Sequence, residues 1–261
     1  MEIIEKIKTN KSIDNQTEIQ KICLEKLQSS PLPDPKSEQW RLSNKSKFSN
    51  LLDYSVNEKD SKFDTPFPNT SQSTIRLVIG DNCQINLIEE NYSIKQLSED
   101  KLVKHIKEQI SCFDQNENWS DLLNLSLNCT KNTLGLKISG SEIPPIEIFS
   151  HASSNSLNAK TLVIFLEKNC DINLLQVNLG KDNSSLSQST FFCLEENSSV
   201  NHGVVSYGEN KSNLLNSLNV TQQKNSEYNL GSLHFKFNYA RFEIRIKQFE
   251  GTLKPISKVC K

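Results

Sequence analysis

The sequence predicts a mainly β solenoid, a coil of stacked strands preceded by a small helical region. The first sign is a repeated phrase. "GDNCQINLI" at 80–88 returns as "EKNCDINLL" at 167–175, with echoes in "EENSSVNHG" at 195–203 and "QKNSEYNLG" at 223–231. All four carry Asn-x-x-apolar-Asn, starting at Asn82, Asn169, Asn197 and Asn225, and the last three recur every 28 residues. A fixed spacing is the mark of an architecture in which each repeat lies on the one before it. The second sign is that, from about Leu134 onward, runs such as "TLVIFLE", "DINLLQVNLG", "STFFCLEE" and "FEIRIKQFEG" follow one another between Asn, Gly and Ser turns with no helical period between them. Strand–turn periodicity also suits an antiparallel sandwich or barrel; the even spacing of the asparagines favours the coil.

The elements follow in chain order. Ile19, Ile22, Cys23 and Leu27 recur at helical spacing, and Asp14 or Asn15 is positioned to cap that helix. "SSPLPDPKSE" ends it, because its prolines remove backbone donors and push the residues before them toward extended geometry. "TIRLVIGDNCQINLIEE" reads as two short strands and a turn. A helix is then expected over about 98–113. Leu102, Val103, Ile106, Ile110 and Phe113 form its apolar face, Ser98 its cap, and Glu99 and Asp100 favour the positive end of its dipole. The expected organisation is a helical and irregular region over 1–72 and a β coil over 73–261 carrying the helical insertion.

Within the repeat, Ile172, Val200 and Tyr228 are equivalent, and strand alternation puts Leu174, His202 and Leu230 on the same face, which is the predicted core. Asn169, Asn197 and Asn225 are predicted to stack at one corner. Asparagine tolerates left-handed backbone there, and its amide can hydrogen-bond along the coil axis.

Composition removes several function classes. Of 261 residues, 30 are Lys or Arg and 31 Asp or Glu, a net charge of −1 with no basic block, so the electrostatic footprint of a nucleic-acid or anionic-membrane partner is lacking. No apolar run approaches the roughly 20 residues that span a bilayer. The N-terminal "MEIIEKIKTNKSIDN" lacks the apolar stretch of a secretory signal, so the expected location is cytoplasmic. Seven scattered cysteines without a Cys-x-x-Cys pair argue against a disulfide framework and a structural zinc site. There is no phosphate-binding loop of the G-x-x-x-x-G-K-[ST] type.

Cys83 and Cys170 hold the same place in the phrase, and thiolates bind iron–sulfur clusters well. The next repeats have Ser198 and Ser226 there, which favours a small packing role for both cysteines and likewise for Cys193 in "FFCL". His202 lies on an otherwise aliphatic face, either as a core residue or as a metal ligand; lacking converging partners, it reads as core. His234 is expected to face solvent or a partner and His105 to lie on the polar side of its helix. Glu89–Glu90 and Glu195–Glu196 are strand neighbours pointing to opposite faces, so they read as solvated charges rather than an acid–base pair. Trp40 and Arg41 are of types enriched at interface hot spots, with local packing an equal alternative.

Four segments taken together resemble the SufB/SufD family of iron–sulfur cluster assembly scaffolds, closest to its SufD branch. They are "PDPKSEQWRLSNKSKFSNLL", with Glu38, Trp40, Arg41 and Ser43; "LLNLSLNCTKNTLGLKISGSEIPPIEIFSH", with Pro145-Ile146; the repeated phrases; and "ARFEIRIKQFEG", with Arg241, Glu243 and Gly251. They cover most of 31–251 in family order, although Leu42 stands where an aromatic is usual. The resemblance implies a right-handed parallel β-helix behind an N-terminal helical region. It also implies a non-catalytic scaffold whose partners are a SufB-like paralogue and a SufC-like ABC ATPase that performs the ATP hydrolysis. No cofactor or metal is expected on this chain alone, the iron–sulfur cluster being held transiently in the assembled complex. Family members continue beyond "GTLKPISKVCK" with more coil, a histidine-containing stretch and terminal helices. A C-terminally incomplete coil is therefore expected, and its uncovered end would favour self-association. The other function class that suits a β coil is a carbohydrate-active lyase or hydrolase, but the strands offer few aspartates for one.

Overall fold

The computed structural model describes residues 17–29, 50–56, 74–80, 85–112, 118–128 and 132–249, together with Glu5, Lys36 and Trp40. Asp14, Asn15, Arg41, Asn82, Cys83, Phe113, Gly251 and the boundary expected at residue 72 lie outside the described residues.

The protein is a parallel β solenoid of about 4 turns with helices at its N-terminal side. Each turn contributes one strand to each of two sheets. Sheet B runs β1 (Ile75–Val78), β5 (Ile146–Ala152), β7 (Asp171–Gly180), β9 (Ser199–Gly208) and β11 (Glu227–Phe235). Sheet A carries β4 (Thr133–Gly140), β6 (Leu157–Leu166), β8 (Ser185–Leu194), β10 (Asn213–Gln222) and β12 (Tyr239–Gln248). On the far side of β4 it is extended by β3 (Tyr92–Gln96) and β2 (Asn86–Ile88), which pair antiparallel. Asn86–Ile88, the described end of the first copy of the repeated phrase, therefore stands outside the parallel ladder. Counting from β5, the four coils are β5–β6, β7–β8, β9–β10 and β11–β12.

The register is the predicted one: Ile172 pairs with Val200 and Val200 with Tyr228, while Leu174, His202 and Leu230 form the next row. All six face the interior, Tyr228 and Leu230 half-buried in the last described coil. The 28-residue offset holds until β12, where Asn213 pairs with Tyr239, an offset of 26 (239 − 213). The last turn is two residues short.

The corners explain the period. Asn155, Asn169, Asn183, Asn197, Lys211 and Asn225, 14 residues apart, all have φ between 54° and 58°, the left-handed region that asparagine tolerates best among side-chain-bearing residues. Each is followed by a buried serine, or by Cys170. The hydroxyls of Ser156, Ser184, Ser198, Ser212 and Ser226 each donate to the carbonyl three residues back, at 2.6–2.8 Å. A short side chain thus satisfies a turn carbonyl that the ladder cannot reach. At one corner the predicted stack forms: Asn225 Nδ2 donates to Asn197 Oδ1 and Asn197 Nδ2 to Asn169 Oδ1, both at 3.2 Å. A second ladder, Asn229 to Asn201 to Asn173, runs beside it at 3.0–3.1 Å. At the opposite corners the chain approaches closely: a Cβ added at Gly208 would lie 2.6 Å from the Phe237 ring, so only glycine fits.

Among the described residues, three α-helices of defined extent accompany the coil. In α1 (Glu18–Ser29) the cap is Thr17, not the earlier residues expected from sequence. Its hydroxyl accepts from Gln20 N at 3.4 Å while Gln20 Oε1 accepts from Thr17 N at 2.8 Å, a reciprocal capping box. α2 (Glu99–Cys112) is the expected insertion, with Ile106 and Ile110 buried and Ser98 O accepting the first helical bond. α3 (Trp119–Leu127) has no counterpart among the elements expected from sequence. Every residue of α3 is buried, between α1 and the outer face of sheet A. Its apolar side, including Trp119, Leu122 and Leu123, packs with Cys23 and Leu27 of α1 and with Trp40. Its polar side, Ser120, Asp121 and Asn124, faces the sheet.

Candidate docking end and charged seam

The last described coil leaves uncovered strand edges and apolar side chains of the kind that the coils before it cover. Among the described residues no strand pairs with the outer edge of β11 or of β12. Ile244 and Ile246 continue the interior rows of Leu218 and Val220, which are fully covered, yet they are 38% and 51% exposed. On the outer face of β11, Leu233 and Phe235 stand at 59% and 38%. An open strand edge flanked by aliphatic side chains is a template for β pairing with another chain.

Beside that edge, sheet A changes chemistry. Along its outer face the row Thr161, Ser189, Ser217 ends in Glu243, and the row Val163, Phe191, Asn219 ends in Arg245. α3 lies across these rows. The Asp121 carboxylate accepts from Ser189 Oγ at 2.7 Å, Asn219 Nδ2 at 3.0 Å and Arg245 Nη1 at 2.8 Å. Arg245 also donates to Ser217 Oγ and Asn219 Oδ1 and pairs with Glu243, which accepts from Ser120 Oγ and from Arg241. The Arg241 guanidinium stacks 3.6 Å above the Trp40 ring, and Trp40 meets Trp119 edge-on with centroids 6.2 Å apart. Burial pushes the Asp121 carboxyl up from its ordinary value, and Arg245 and the Ser189 hydroxyl pull it back. Two arginines and two carboxylates are thus closed into a mutually compensated seam that fastens α3 to the last coil.

Trp40 is 7% exposed in the packed layer under Arg241. Cys170 is the serine-equivalent corner residue; burial, with Asp171 and Glu167 near, pushes its thiol up to about 12, which keeps it protonated at neutral pH. Cys193 lies on the outer face of sheet A, where Gln109 Nε2 approaches its sulfur at 3.2 Å. His202 is a core residue whose Nδ1 lies 2.5 Å from the Tyr228 hydroxyl, among the rings of Phe192 and Tyr228. Burial lowers its pKa to about 3. Two expectations are corrected. His234 points inward against the Phe242 ring, 4.7 Å away, while its apolar neighbours Leu233 and Phe235 face outward; register from the Asn225 corner outweighs hydrophobicity. His105 is half-buried, its ring 5.2 Å from Phe165, because α2 lies on sheet A with that side down. Glu89, Glu90 and Glu196 are exposed, and Glu196 pairs with Lys168 one coil away at 2.9 Å.

No group of three or more metal-ligating side chains converges among the described residues, and none of the described helices is long and apolar enough to cross a membrane. No protein-family model matches the chain, and no curated protein matches it.

Proposed function

We propose that this chain is a non-enzymatic scaffold subunit of iron–sulfur cluster assembly, SufD-like, that pairs with a SufB-like paralogue and a SufC-like ABC ATPase. Hydrolysis of ATP belongs to the ATPase, and the cluster is cargo of the assembled complex rather than a resident group. Support comes from the ordered sequence resemblance and from the parallel coil behind N-terminal helices, the architecture that resemblance implies. The observation that carries the reading is the last coil: its two strand edges and its exposed Ile244 and Ile246 suit the end of a second coil-shaped subunit. A second copy of this chain would compete for the same end.

The test is co-expression of this chain with a SufB-like and a SufC-like protein, with affinity capture on this chain. Both are expected to co-purify, and Ile244→Lys with Ile246→Lys is expected to lower recovery of the SufB-like protein at least tenfold while leaving the chain folded. Failure of the unaltered chain to capture either protein overturns the proposal.

A further inference from the structure

The interior of the coil is divided lengthwise. Beside the Asn169–Asn197–Asn225 corner it is aliphatic, and a small apolar cluster of Ala152, Leu186 and Leu214 lies by the opposite corners; between them runs a polar belt hydrogen-bonded in a continuous chain. Ser150 Oγ donates to Gln188 Oε1 at 2.7 Å, and Gln188 Nε2 to Thr190 Oγ1 at 3.4 Å. Thr190 Oγ1 donates to Gln176 Oε1 at 3.2 Å, Gln176 Nε2 to Asn178 Oδ1 at 3.2 Å, and Asn178 Nδ2 to Ser206 Oγ at 3.1 Å. The chain climbs from the first coil to the third through fully buried groups, each satisfied by the next.

At Ser206 the direct bonds stop while the polar side chains continue. Residues equidistant from a corner face one another across the interior: Gln176 and Thr190, seven residues either side of Asn183, are bonded at 3.2 Å. By the same geometry Ser206 and Asn216, five residues either side of Lys211, face one another in the third coil. Asn216 is 1% exposed, and neither its Nδ2 nor its Oδ1 has a hydrogen-bond partner among the described residues. Its neighbour in the next coil is Phe242, whose ring touches His234, and both ring nitrogens of His234 are likewise buried without a partner. A primary amide buried with all its hydrogen-bonding capacity unused costs about 1–3 kcal/mol, a cost that polar interiors remove by binding water.

We propose that the space between Ser206, Asn216 and His234 is a binding site for small neutral hydrogen-bonding molecules, in the cell water, which carries the interior chain on to the last coil. Neutrality follows from the lining. The side chains bring hydroxyl, amide and imidazole groups and no formal charge, and burial holds His234 below its ordinary pKa, so the ring is the neutral form that can accept as well as donate. Asn216 offers two donors and two acceptor positions and Ser206 retains its hydroxyl proton. Together these meet the three or so bonds that a buried water makes.

The test uses the whole chain with selective 15N labelling of asparagine and histidine. Rotating-frame Overhauser transfer from water to the Asn216 side-chain amide is expected, with the sign of a long-lived bound molecule, and its absence overturns the proposal. Asn216→Leu, nearly isosteric, separates wet from dry by direction. A water-filled site predicts a fall in Tm of roughly 3–8 °C, because Ser206, His234 and the water lose a partner. A dry site predicts a rise, because an unsatisfied amide is removed, and that outcome overturns the proposal. Should the variant not fold, the Overhauser measurement on the unaltered chain decides.

Discussion

The third and fourth coils are written on one repeat and meet opposite surroundings. In the third, every residue of β10 is buried, interior Leu218 and Val220 against the coils on either side and outer Ser217 and Asn219 beneath α3. In the fourth, the positions that continue those rows are Ile244 and Ile246, exposed, and Glu243 and Arg245, charged. A periodic sequence decides which way a side chain points; what lies over it depends on the neighbouring coil and on the layer outside. The fourth coil has no coil beyond it among the described residues, and it holds the N-terminal layer by charge where the third does so by hydroxyls and an amide.

The largest effect should come from breaking that difference at Arg245. Asp121 is 2% exposed at its side chain and Arg245 is its cationic partner at 2.8 Å. Arg245→Ala leaves a buried carboxylate uncompensated and is expected to cost about 3–5 kcal/mol. The pair Asp121→Leu with Arg245→Leu removes both charges and should cost clearly less than Arg245→Ala alone. Urea unfolding midpoints measure both, and hydrogen exchange should locate the loss in Tyr239–Gln248 before Ser185–Leu194. Equal losses for the single and double variants would mean that shape, not charge, fixes α3 to the last coil.

The two coils also differ in how much of them could be read beforehand. The interior rows and the Asn169 ladder were legible because both repeat every 28 residues and because strand alternation carries the face from one copy to the next. The half-period of 14 was equally present, as Asn155-Ser156, Asn183-Ser184 and Lys211-Ser212, but those corners lack the Asn-x-x-apolar-Asn phrase that drew attention to the others. α3 was missed for a physical reason. In "WSDLLNLSL" the polar stripe is buried against a polar sheet face, so the usual inference from polar residue to solvent fails. His234 is expected outward if hydrophobicity decides its face, but register from the Asn225 corner turns it inward and leaves Leu233 and Phe235 outside. The charged seam could not be assembled from sequence at all, since Trp40, Asp121 and Arg245 converge only through the stacking of coils and the return of α3.

A middle-sized effect sharpens the comparison through acidity. His202 in the third coil stands between Leu174 and Leu230 in its row. Its pKa is lowered from 6.5 to about 3 by burial, so below pH 6.5 the unfolded chain binds a proton that the folded chain refuses. Stability is therefore full above about pH 6.5 and falls as the pH drops toward 3, by about 2 kcal/mol between pH 7 and pH 5. His202→Leu is expected to abolish that share of the acid sensitivity while losing the contact with the Tyr228 hydroxyl. Unfolding midpoints of the two proteins at pH 7 and pH 5 give the comparison, and an unchanged pH slope in the variant would show that the acid-sensitive group lies elsewhere.

The smallest effects lie at the corners, where two edges of the same coil solve one backbone problem with different residues. Asn197 has φ 57° and stands in the middle of its ladder, donating to Asn169 and accepting from Asn225; Lys211 has φ 55°, and its side chain is in no such ladder. Asn197→Ala should cost about 1–2 kcal/mol, since alanine pays the left-handed penalty and both amide bonds vanish. Asn197→Gly keeps the bonds broken but relieves the backbone, so it should cost less than alanine. Lys211→Asn should stabilise by a few tenths of a kcal/mol, since asparagine tolerates that backbone better than lysine does. If alanine and glycine at 197 cost the same, the corner asparagines act through their ladder alone, and the left-handed backbone they share with Lys211 is incidental to why asparagine recurs there.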